Sequence, residues 1–366
     1  MLVRVSDPRP LAILTSGGDA PGMNAAIRAM AVVAASRGVP VVGVEDGYTG
    51  LLEGRLRPLT FADADGTLGV DPELDFLGTV GGTVLGSARE LRFLTAPGRA
   101  PAVKTMAGLR GLVVVGGNGS LAGAHALAAE CDVPIIGMPA SIDHDVGCTG
   151  TSIGVDSALN SIVSACDSIS DTARAHRRAF VIEVMGRDSG YLAMAAAVAA
   201  GAEAVLFREQ GRDEEAIVLS LERAIRRAFA KRHKRRVLIL KAEGVAIPCT
   251  RLVRAVQDRL GDDFGVDVRA TVLGHLVRGG RPSFADRMVA GRLGLAAVGA
   301  VLSGQSDQMV AWQGIVPGGT PTPDSAVTLY PLSQVLEQSH ALIDGTSPIT
   351  QRRVKMMEEF EGVLGL

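Results

Sequence analysis

The chain has 366 residues, enough for one large or two medium α/β domains. Its 37 Lys+Arg against 39 Asp+Glu leave a formal net charge of −2, so no global field draws it to nucleic acid or to an anionic membrane. A hydrophobic content of 47 % argues against disorder and an aromatic content of 4 % against a base-stacking surface, while 45 glycines point to tight turns and close backbone–ligand approach.

In chain order, strands are expected over residues 11–15, 39–44, 111–115 and 133–138, with helices over 25–35 and 121–129. This strand–turn–helix alternation predicts a parallel sheet covered on both faces, because its strands are short and apolar throughout. A second cycle follows a helical stretch over 157–173. It has strands over 180–185, 205–207 and 237–242, a helix over 192–200 and a charged amphipathic helix over 214–231. The basic run 231–236 falls at that helix's carboxyl end, where cations complement the dipole. Two α/β units in series are expected, with a boundary near 150–155. The segment after Trp312 is Pro/Gly-rich and turns helical from Thr350.

The four cysteines, Cys131, Cys148, Cys166 and Cys249, lack C-x-x-C or metal-ligand spacing and are expected as reduced core thiols. The N-terminus MLVRVSDPRP lacks the pattern of a signal peptide. The nearly uncharged stretch 191–207 is Ala-rich, contains Glu203 and is shorter than a membrane span, so it is expected as a buried helix running into a strand. These features predict a soluble, cytoplasmic protein.

Ligands of such sheets bind beyond the carboxyl ends of the strands. Four loops there carry chemistry. SGGDAPGMN, Ser16 to Asn24, combines two glycines with a helix N-terminus, an arrangement that suits phosphate; a tight turn needing positive φ explains it equally well. VGGNGS, Val115 to Ser120, repeats the design and strengthens the phosphate reading. GTVLGSAR, Gly82 to Arg89, ends in an arginine that can pair with phosphate oxygens. PASIDHD, Pro139 to Asp145, places Asp143 and Asp145 about His144. Two carboxylates there suit a general base and a Mg²⁺ ligand, or capping and turn roles. Arginines then recur at strand ends beside Glu243 and His275, a set suited to a phosphorylated polyol.

Taken together, ILTSGGDAPGMNAAIR, DGYTGL, GGTVLGSAR, VGGNGS, SIDHD, VIEVMGRDSGYLA, AEG and LGHLVRGGRPSFADR resemble, in order, the ATP-type 6-phosphofructokinase family, over about residues 10–290. The resemblance implies two doubly wound α/β domains with largely parallel sheets and an active site in the cleft between them. It implies a nucleotide-binding domain over 1–154, a sugar-phosphate domain over 155–277, a return segment over 278–327 and a C-terminal tail over 328–366. The activity it implies is ATP- and Mg²⁺-dependent conversion of fructose 6-phosphate to fructose 1,6-bisphosphate.

Residue by residue, the resemblance implies that Gly18, Tyr48, Arg89 and the loop Gly117, Asn118, Gly119 and Ser120 hold the nucleotide. Asp143 matches the family's general base for the sugar 1-hydroxyl, and Ser141 lies beside the transferring group. Arg187 matches the group that stabilises the charge developing there. Asp145, supported by Asn118, matches the metal site. Met185, Gly186, Glu243, His275 and Arg278 match the sugar-phosphate site. Arg178 and Arg269 match arginines that reach a neighbouring subunit's sugar phosphate, which implies a homo-oligomer, dimeric or tetrameric. Gly119 and Ala140 stand where pyrophosphate-using relatives commonly have Asp and Lys, so ATP is the expected donor. Neither a nucleic-acid nor a membrane partner is expected.

Three positions depart from the family pattern. Asn118 replaces an Asp, which predicts weaker metal affinity. His144 replaces an Asn and, if protonated, lowers the basicity of its two Asp neighbours. Ser141 replaces a Thr and keeps the hydroxyl. These departures leave open a catalytically impaired binding or regulatory subunit, and a kinase for another sugar phosphate is a further alternative. Arg28, Glu203 and residues 232–234 fall near the family's second, regulatory nucleotide pocket, but Val32 and Ser170 stand where arginine is usual there.

Overall fold

The structure is a computed structural model describing residues 7–64 and 66–364. The reading of the N-terminus as lacking a signal peptide falls mainly on residues 1–6, outside that range. The strands are β1 (Leu11–Ser16), β2 (Val41–Val44), β3 (Leu56–Pro58), β4 (Thr60–Ala62), β5 (Leu68–Val70), β6 (Gly111–Gly116) and β7 (Ile135–Pro139). They continue as β8 (Ala179–Val184), β9 (Ala204–Leu206), β10 (Val237–Ala242) and β11 (Val268–Val272). The last three are β12 (Gln308–Trp312), β13 (Thr320–Pro321) and β14 (Val327–Pro331). The chain divides into two compact units, Met1–Ser157 with Arg278–His340, and Ala158–Val277 with Ala341–Leu366.

The first unit carries an eight-stranded sheet in the order β13-β14-β12-β7-β6-β1-β2-β3. Its centre, from β2 through β1, β6 and β7 to β12, is parallel, and β3, β14 and β13 add antiparallel edges. Every residue of β1, β6 and β7 is buried, as a sheet covered on both faces requires. The helices Met23–Ser36 and Phe284–Leu302 pack together on this sheet. A Cβ at Gly294 would lie only 3.1 Å from Ala29 Cβ, so the absent side chain sets how closely these helices approach. Ser283 caps the second of them, its Oγ accepting from Asp286 N–H at 3.2 Å.

The second unit holds a four-stranded, wholly parallel sheet in the order β11-β8-β10-β9. Its amphipathic helix Glu214–Phe229 begins with Asp213 as N-cap, has Glu214 and Glu215 in the first turn and has Arg226 and Arg227 in the last. Ile217, Leu221 and Ile225 line its buried face, each contributing about 1.5–3 kcal/mol of apolar burial.

Several sequence-based boundaries shift. The first helix starts at Met23 because Gly22, at φ +113°, caps it. β2 starts after Pro40, which has no N–H for the ladder. The helix Cys249–Leu260, the helix Phe284–Leu302 and the strands β11 and β12 were not assigned from sequence. The segment 328–366 is not one tail: β14 pairs antiparallel with β12 in the first unit, whereas residues 341–366 belong to the second.

The basic run is not merely a solvated helix end. Lys234 pairs with the buried Glu203, Arg236 stands 3.9 Å from the same carboxylate, and Glu203 Oε2 accepts from Leu238 N–H at 2.7 Å. Arg28 is engaged by Asp75 at 2.7 Å. Among the described residues the four cysteines are free, and burial pushes the Cys148 thiol up to about 12 and those of Cys166 and Cys249 to about 11. The uncharged stretch forms the helix Tyr191–Ala200 followed by β9, and no described helix is long and apolar enough to cross a membrane.

Candidate active site

Strand register gathers the first unit's chemistry. β1 pairs with β6 so that Ser16 faces Gly116, and β6 pairs with β7 so that Gly116 faces Pro139. Three loops therefore leave the sheet level with one another. β1 also has β2 on its other flank, so the chain departs from β1 on one side and later returns on the opposite side as β6. Such a reversal opens the crevice in which α/β sheets bind ligands.

The first and third loops are tied together. Ser87 Oγ donates to the Gly17 carbonyl at 2.6 Å, and Thr15 Oγ1 donates to the Gly86 carbonyl at 2.8 Å. Asn24 Oδ1 accepts from Val84 N–H at 2.7 Å, while its amide donates to the Gly81 carbonyl at 3.1 Å. Arg89, next along, is exposed and makes no ion pair among the described residues. The adjoining Glu90 accepts from Arg92 through both the guanidinium (2.6 Å) and the backbone N–H (2.9 Å). Those contacts lower the Glu90 carboxyl to about 2. Gly18 faces Arg278, whose Nη1 donates to the Asp19 carbonyl at 3.0 Å.

The second loop opens the helix Asn118–Ala128, with Gly117 in extended conformation at its N-cap. A Cβ at Gly116 would fall 2.5 Å from the Ser16 carbonyl oxygen, so glycine is required where the first two loops touch. Gly119 is the opposite case: it is exposed, and a Cβ there would meet nothing within 4 Å. Tyr48 does not occupy the exposed side expected of a nucleotide contact. It is buried behind the loop, stacked on Phe93 with centroids 3.9 Å apart, and its hydroxyl donates to the Ser120 carbonyl at 2.6 Å. The physical reason is the sheet's own core, which accepts the ring while the loop's carbonyl satisfies the hydroxyl.

The fourth loop lies against the second. Asn118 Nδ2 donates to Asp145 Oδ2 at 2.9 Å and to the Asp145 main-chain carbonyl at 3.1 Å. Ser141 Oγ donates to Asp145 Oδ1 at 3.0 Å and accepts from Asp143 N–H at 3.3 Å. The Asp143 carboxylate stands 4.0 Å from Arg278 Nη2. His144 takes φ +52°, a left-handed conformation that Asn, Asp and His tolerate better than other side chains, so the His-for-Asn departure fits the backbone.

In the second unit β8, β10 and β11 also end together, with Val184 facing Ala242 and Glu183 facing Val272. Beyond them lie Met185, which is buried, and Gly186, Arg187 and Glu243. Gly186 has φ +126°, and a Cβ at Gly244 would fall 2.1 Å from the Arg187 carbonyl oxygen, so two glycines let these two loops touch. The side chains of Arg187, Glu243 and His275 are exposed. Arg178 and Arg269 converge on Asp267: Arg178 Nε is 3.1 Å and Arg269 Nη2 2.7 Å from its Oδ2. Asp267 was not among the sequence candidates. The signal was its i, i+2 spacing to Arg269, which puts both on one face of an extended segment.

Among the described residues no three His, Cys, Asp or Glu side chains cluster as a complete metal cage. Mg²⁺ seldom needs one, because one or two protein oxygens plus phosphates and water suffice. Asp145 offers a carboxylate that fits a Mg²⁺ carried on nucleotide phosphates, whereas Asn118, assigned to the metal from sequence, turns Nδ2 rather than Oδ1 toward that carboxylate, at 2.9 Å, because a carboxylate oxygen accepts and the amide N–H donates.

Comparison with known proteins agrees with this geometry. The family model described as Phosphofructokinase matches residues 10–301. An ATP-dependent 6-phosphofructokinase of Thermotoga neapolitana is 42 % identical over 310 residues, covering 84 % of this chain and 90 % of the relative. ATP-dependent 6-phosphofructokinase 1 of Thermus thermophilus is 40 % identical over 332 residues, covering 90 % of this chain and 94 % of that one. Among solved structures, Pichia pastoris phosphofructokinase in the T-state matches with TM-score 0.82 and 30 % identity over 98 % of this chain, which spans 40 % of the yeast chain. A pyrophosphate-dependent phosphofructokinase from Marinobacter aquaeolei shares the fold, with TM-score 0.71 and 20 % identity. Sequence, fold and loop geometry converge: the chain belongs to the phosphofructokinase family.

Proposed function

We propose that this protein transfers the terminal phosphoryl group of ATP to the 1-hydroxyl of fructose 6-phosphate, forming fructose 1,6-bisphosphate in glycolysis. The observation that carries the reading is the level ending of β1, β6 and β7, which sets the two glycine loops beside the Asp143–Asp145 loop. Relatives named ATP-dependent 6-phosphofructokinase, at 40–42 % identity over most of the chain, support the same reaction.

In this reading the backbone N–H groups of the glycine loops and Arg89 bind the nucleotide phosphates. Gly119 leaves room for them, Gly18, Gly117 and Ser120 are assigned to the same site, and Tyr48 acts by holding the Ser120 turn from behind. Asp143 is the general base that takes the proton from the sugar hydroxyl as its oxygen attacks phosphorus. Ser141 orients the loop, and Arg187 neutralises charge developing on the transferred group. The sugar phosphate is assigned Arg178, Met185, Gly186, Glu243, Arg269, His275 and Arg278. Such transfer depends on positioning and charge neutralisation more than on covalent chemistry by the protein. Mg²⁺, held by Asp145, would supply charge neutralisation of the phosphates, and Asn118, whose Nδ2 faces that carboxylate, would orient it rather than share the ion.

The open space at Gly119 favours ATP over pyrophosphate, since an uncharged position leaves room for the nucleotide α-phosphate. The half-buried Arg178 and the exposed Arg269, held by Asp267, are consistent with a homo-oligomer in which they serve a neighbouring subunit's site. A cytoplasmic location accords with the four free thiols, of which Cys131 is half-buried and the other three are buried.

The test is a coupled assay of purified protein with fructose 6-phosphate and Mg²⁺, run in parallel with ATP and with pyrophosphate. Turnover with ATP is expected. A protein that binds both ligands but turns over neither donor would be a binding or regulatory subunit, the reading that Asn118 and His144 would then favour.

A further inference from the structure

We propose that Asn118 is a positioning residue that locks Asp145 through its amide N–H groups, so that the Ser141–Asp145 loop is set before any divalent cation binds. The amide has two acceptors in reach, Asp145 Oδ2 at 2.9 Å and the Asp145 main-chain carbonyl at 3.1 Å. Both are acceptors only, so the nitrogen must face them, and the amide orientation is fixed by chemistry. Asp145 Oδ1 meanwhile accepts from Ser141 Oγ at 3.0 Å. The Asp145 side chain is thus held from the second loop and from within its own loop at once. The Ser141 hydroxyl in turn accepts from Asp143 N–H at 3.3 Å, which extends the lock to the residue assigned as base.

A carboxylate at position 118 could not make this contact. It would bring a second anionic oxygen to where Nδ2 now stands, against a carboxylate oxygen and a carbonyl oxygen, with no proton among the three. Such a cluster is repulsive unless a cation or an added proton joins it. The amide removes that requirement. It also directs Oδ1 the other way, where it is buried and has no hydrogen-bond partner. One neutral oxygen is therefore left for a ligand, and the loop geometry is independent of whether that ligand has arrived. Metal affinity and loop order, which a carboxylate here would couple, become separate properties in this chain.

The geometric part of this inference stands on the loop contact alone, and its bearing on turnover rests on the proposed reaction. The experiment separates the two. Melting temperatures are measured without nucleotide, in EDTA and in MgCl₂, for the wild type, Asn118→Asp and Asn118→Ala. The wild type is expected to melt at the same temperature in both. Asn118→Asp should melt lower in EDTA and recover with Mg²⁺, whereas Asn118→Ala should be lowered equally in both. Wild type stabilised by Mg²⁺ alone as strongly as Asn118→Asp would overturn the lock, and so would Asn118→Asp matching wild type in EDTA. Should Asn118→Asp fail to fold in EDTA, refolding on addition of Mg²⁺ supports the proposal and failure to refold with Mg²⁺ overturns it.

A second readout is fructose 6-phosphate binding by calorimetry. Wild-type affinity should be the same with and without Mg²⁺. Asn118→Asp should bind about tenfold more weakly in EDTA and regain that loss with Mg²⁺, a size usual for disturbing a partner that orients a metal ligand. Equal metal dependence in the two proteins would count against the lock. Absence of sugar-phosphate binding by the wild type would instead count against the proposed reaction, and the melting pattern would then decide the role of Asn118 by itself.

Discussion

Arg278 lies across Gly18, so close that a Cβ at position 18 would fall 2.7 Å from its Nη1. The same guanidinium donates to the Asp19 carbonyl at 3.0 Å and stands 4.0 Å from the Asp143 carboxylate. One side chain thus connects the first glycine loop with the aspartate assigned as base. Glycine at position 18 makes this possible by leaving the space the guanidinium fills.

Gly18→Ala should therefore act on catalysis more than on folding. The group displaced is the far end of a flexible side chain, so stability should fall by less than about 1 kcal/mol. Turnover should suffer more, with kcat/KM down about tenfold, or about 1.4 kcal/mol, as Arg278 is pushed off Asp19. Steady-state kinetics and a melting curve on the same preparation check both parts. A folded variant with unchanged kcat/KM would show that the Arg278–Gly18 contact has no part in the reaction.

Asp143→Asn keeps the shape of the side chain and removes its basicity. Turnover should drop by about 10²–10⁴-fold, the usual contribution of a general base. Binding of fructose 6-phosphate, measured by calorimetry, should stay within a few-fold of wild type. Near-normal kcat would remove Asp143 from the role of base.

Tyr48→Phe tests support from behind the second loop. Burial pushes the Tyr48 phenol well above its usual pKa, so the hydroxyl serves as a donor, and its acceptor is the Ser120 carbonyl at 2.6 Å. Losing that bond should cost about 0.5–1.5 kcal/mol by denaturant unfolding. Because the loop it steadies is assigned to ATP, KM for ATP should rise a few-fold while KM for fructose 6-phosphate stays nearly constant. Equal rises in both would point to general loosening.

Glu90 supplies a pH prediction. Its carboxyl is held at about 2, mainly by the Arg92 guanidinium and the Arg92 backbone N–H, against an ordinary value near 4.5. A depressed folded-state pKa means that the unfolded chain binds the proton first on acidification. The contribution to stability is therefore fully present above pH 4.5 and is lost as pH falls toward 2. Glu90→Gln should melt lower than wild type at neutral pH, and the difference should close between those limits. A difference that stays constant from pH 6 to pH 2.5 would refute the assignment.

The glycine loops were readable because their signal is local. Ser16–Asn24 and Val115–Ser120 each pair glycines with a following helix, and that pattern needs no knowledge of distant residues. Asp143 and Asp145 were readable for the same reason, as carboxylates directly after an apolar strand. Tyr48 was legible as part of DGYTGL but not as a buried residue, since its burial comes from Phe93, 45 positions away in the chain. The bond from Ser87 to Gly17, across 70 residues, was equally invisible, because a hydroxyl in a loop has many acceptors within reach until the fold selects one.

By itself the sequence determined the alternation of strand, turn and helix, the two α/β units and which residue types stand in the loops that the proposed reaction uses. Those properties follow from hydrophobic period and side-chain chemistry, which each segment carries with it. The tertiary structure alone decided that β1, β6 and β7 end level, that Asp267 holds two arginines and that Glu203 buries its charge against the basic run. It also decided that β14 joins the first unit's sheet rather than a separate tail. Strand register, burial and charge pairing are relations between segments far apart in the chain, and they acquire values only once packing has chosen each segment's neighbours.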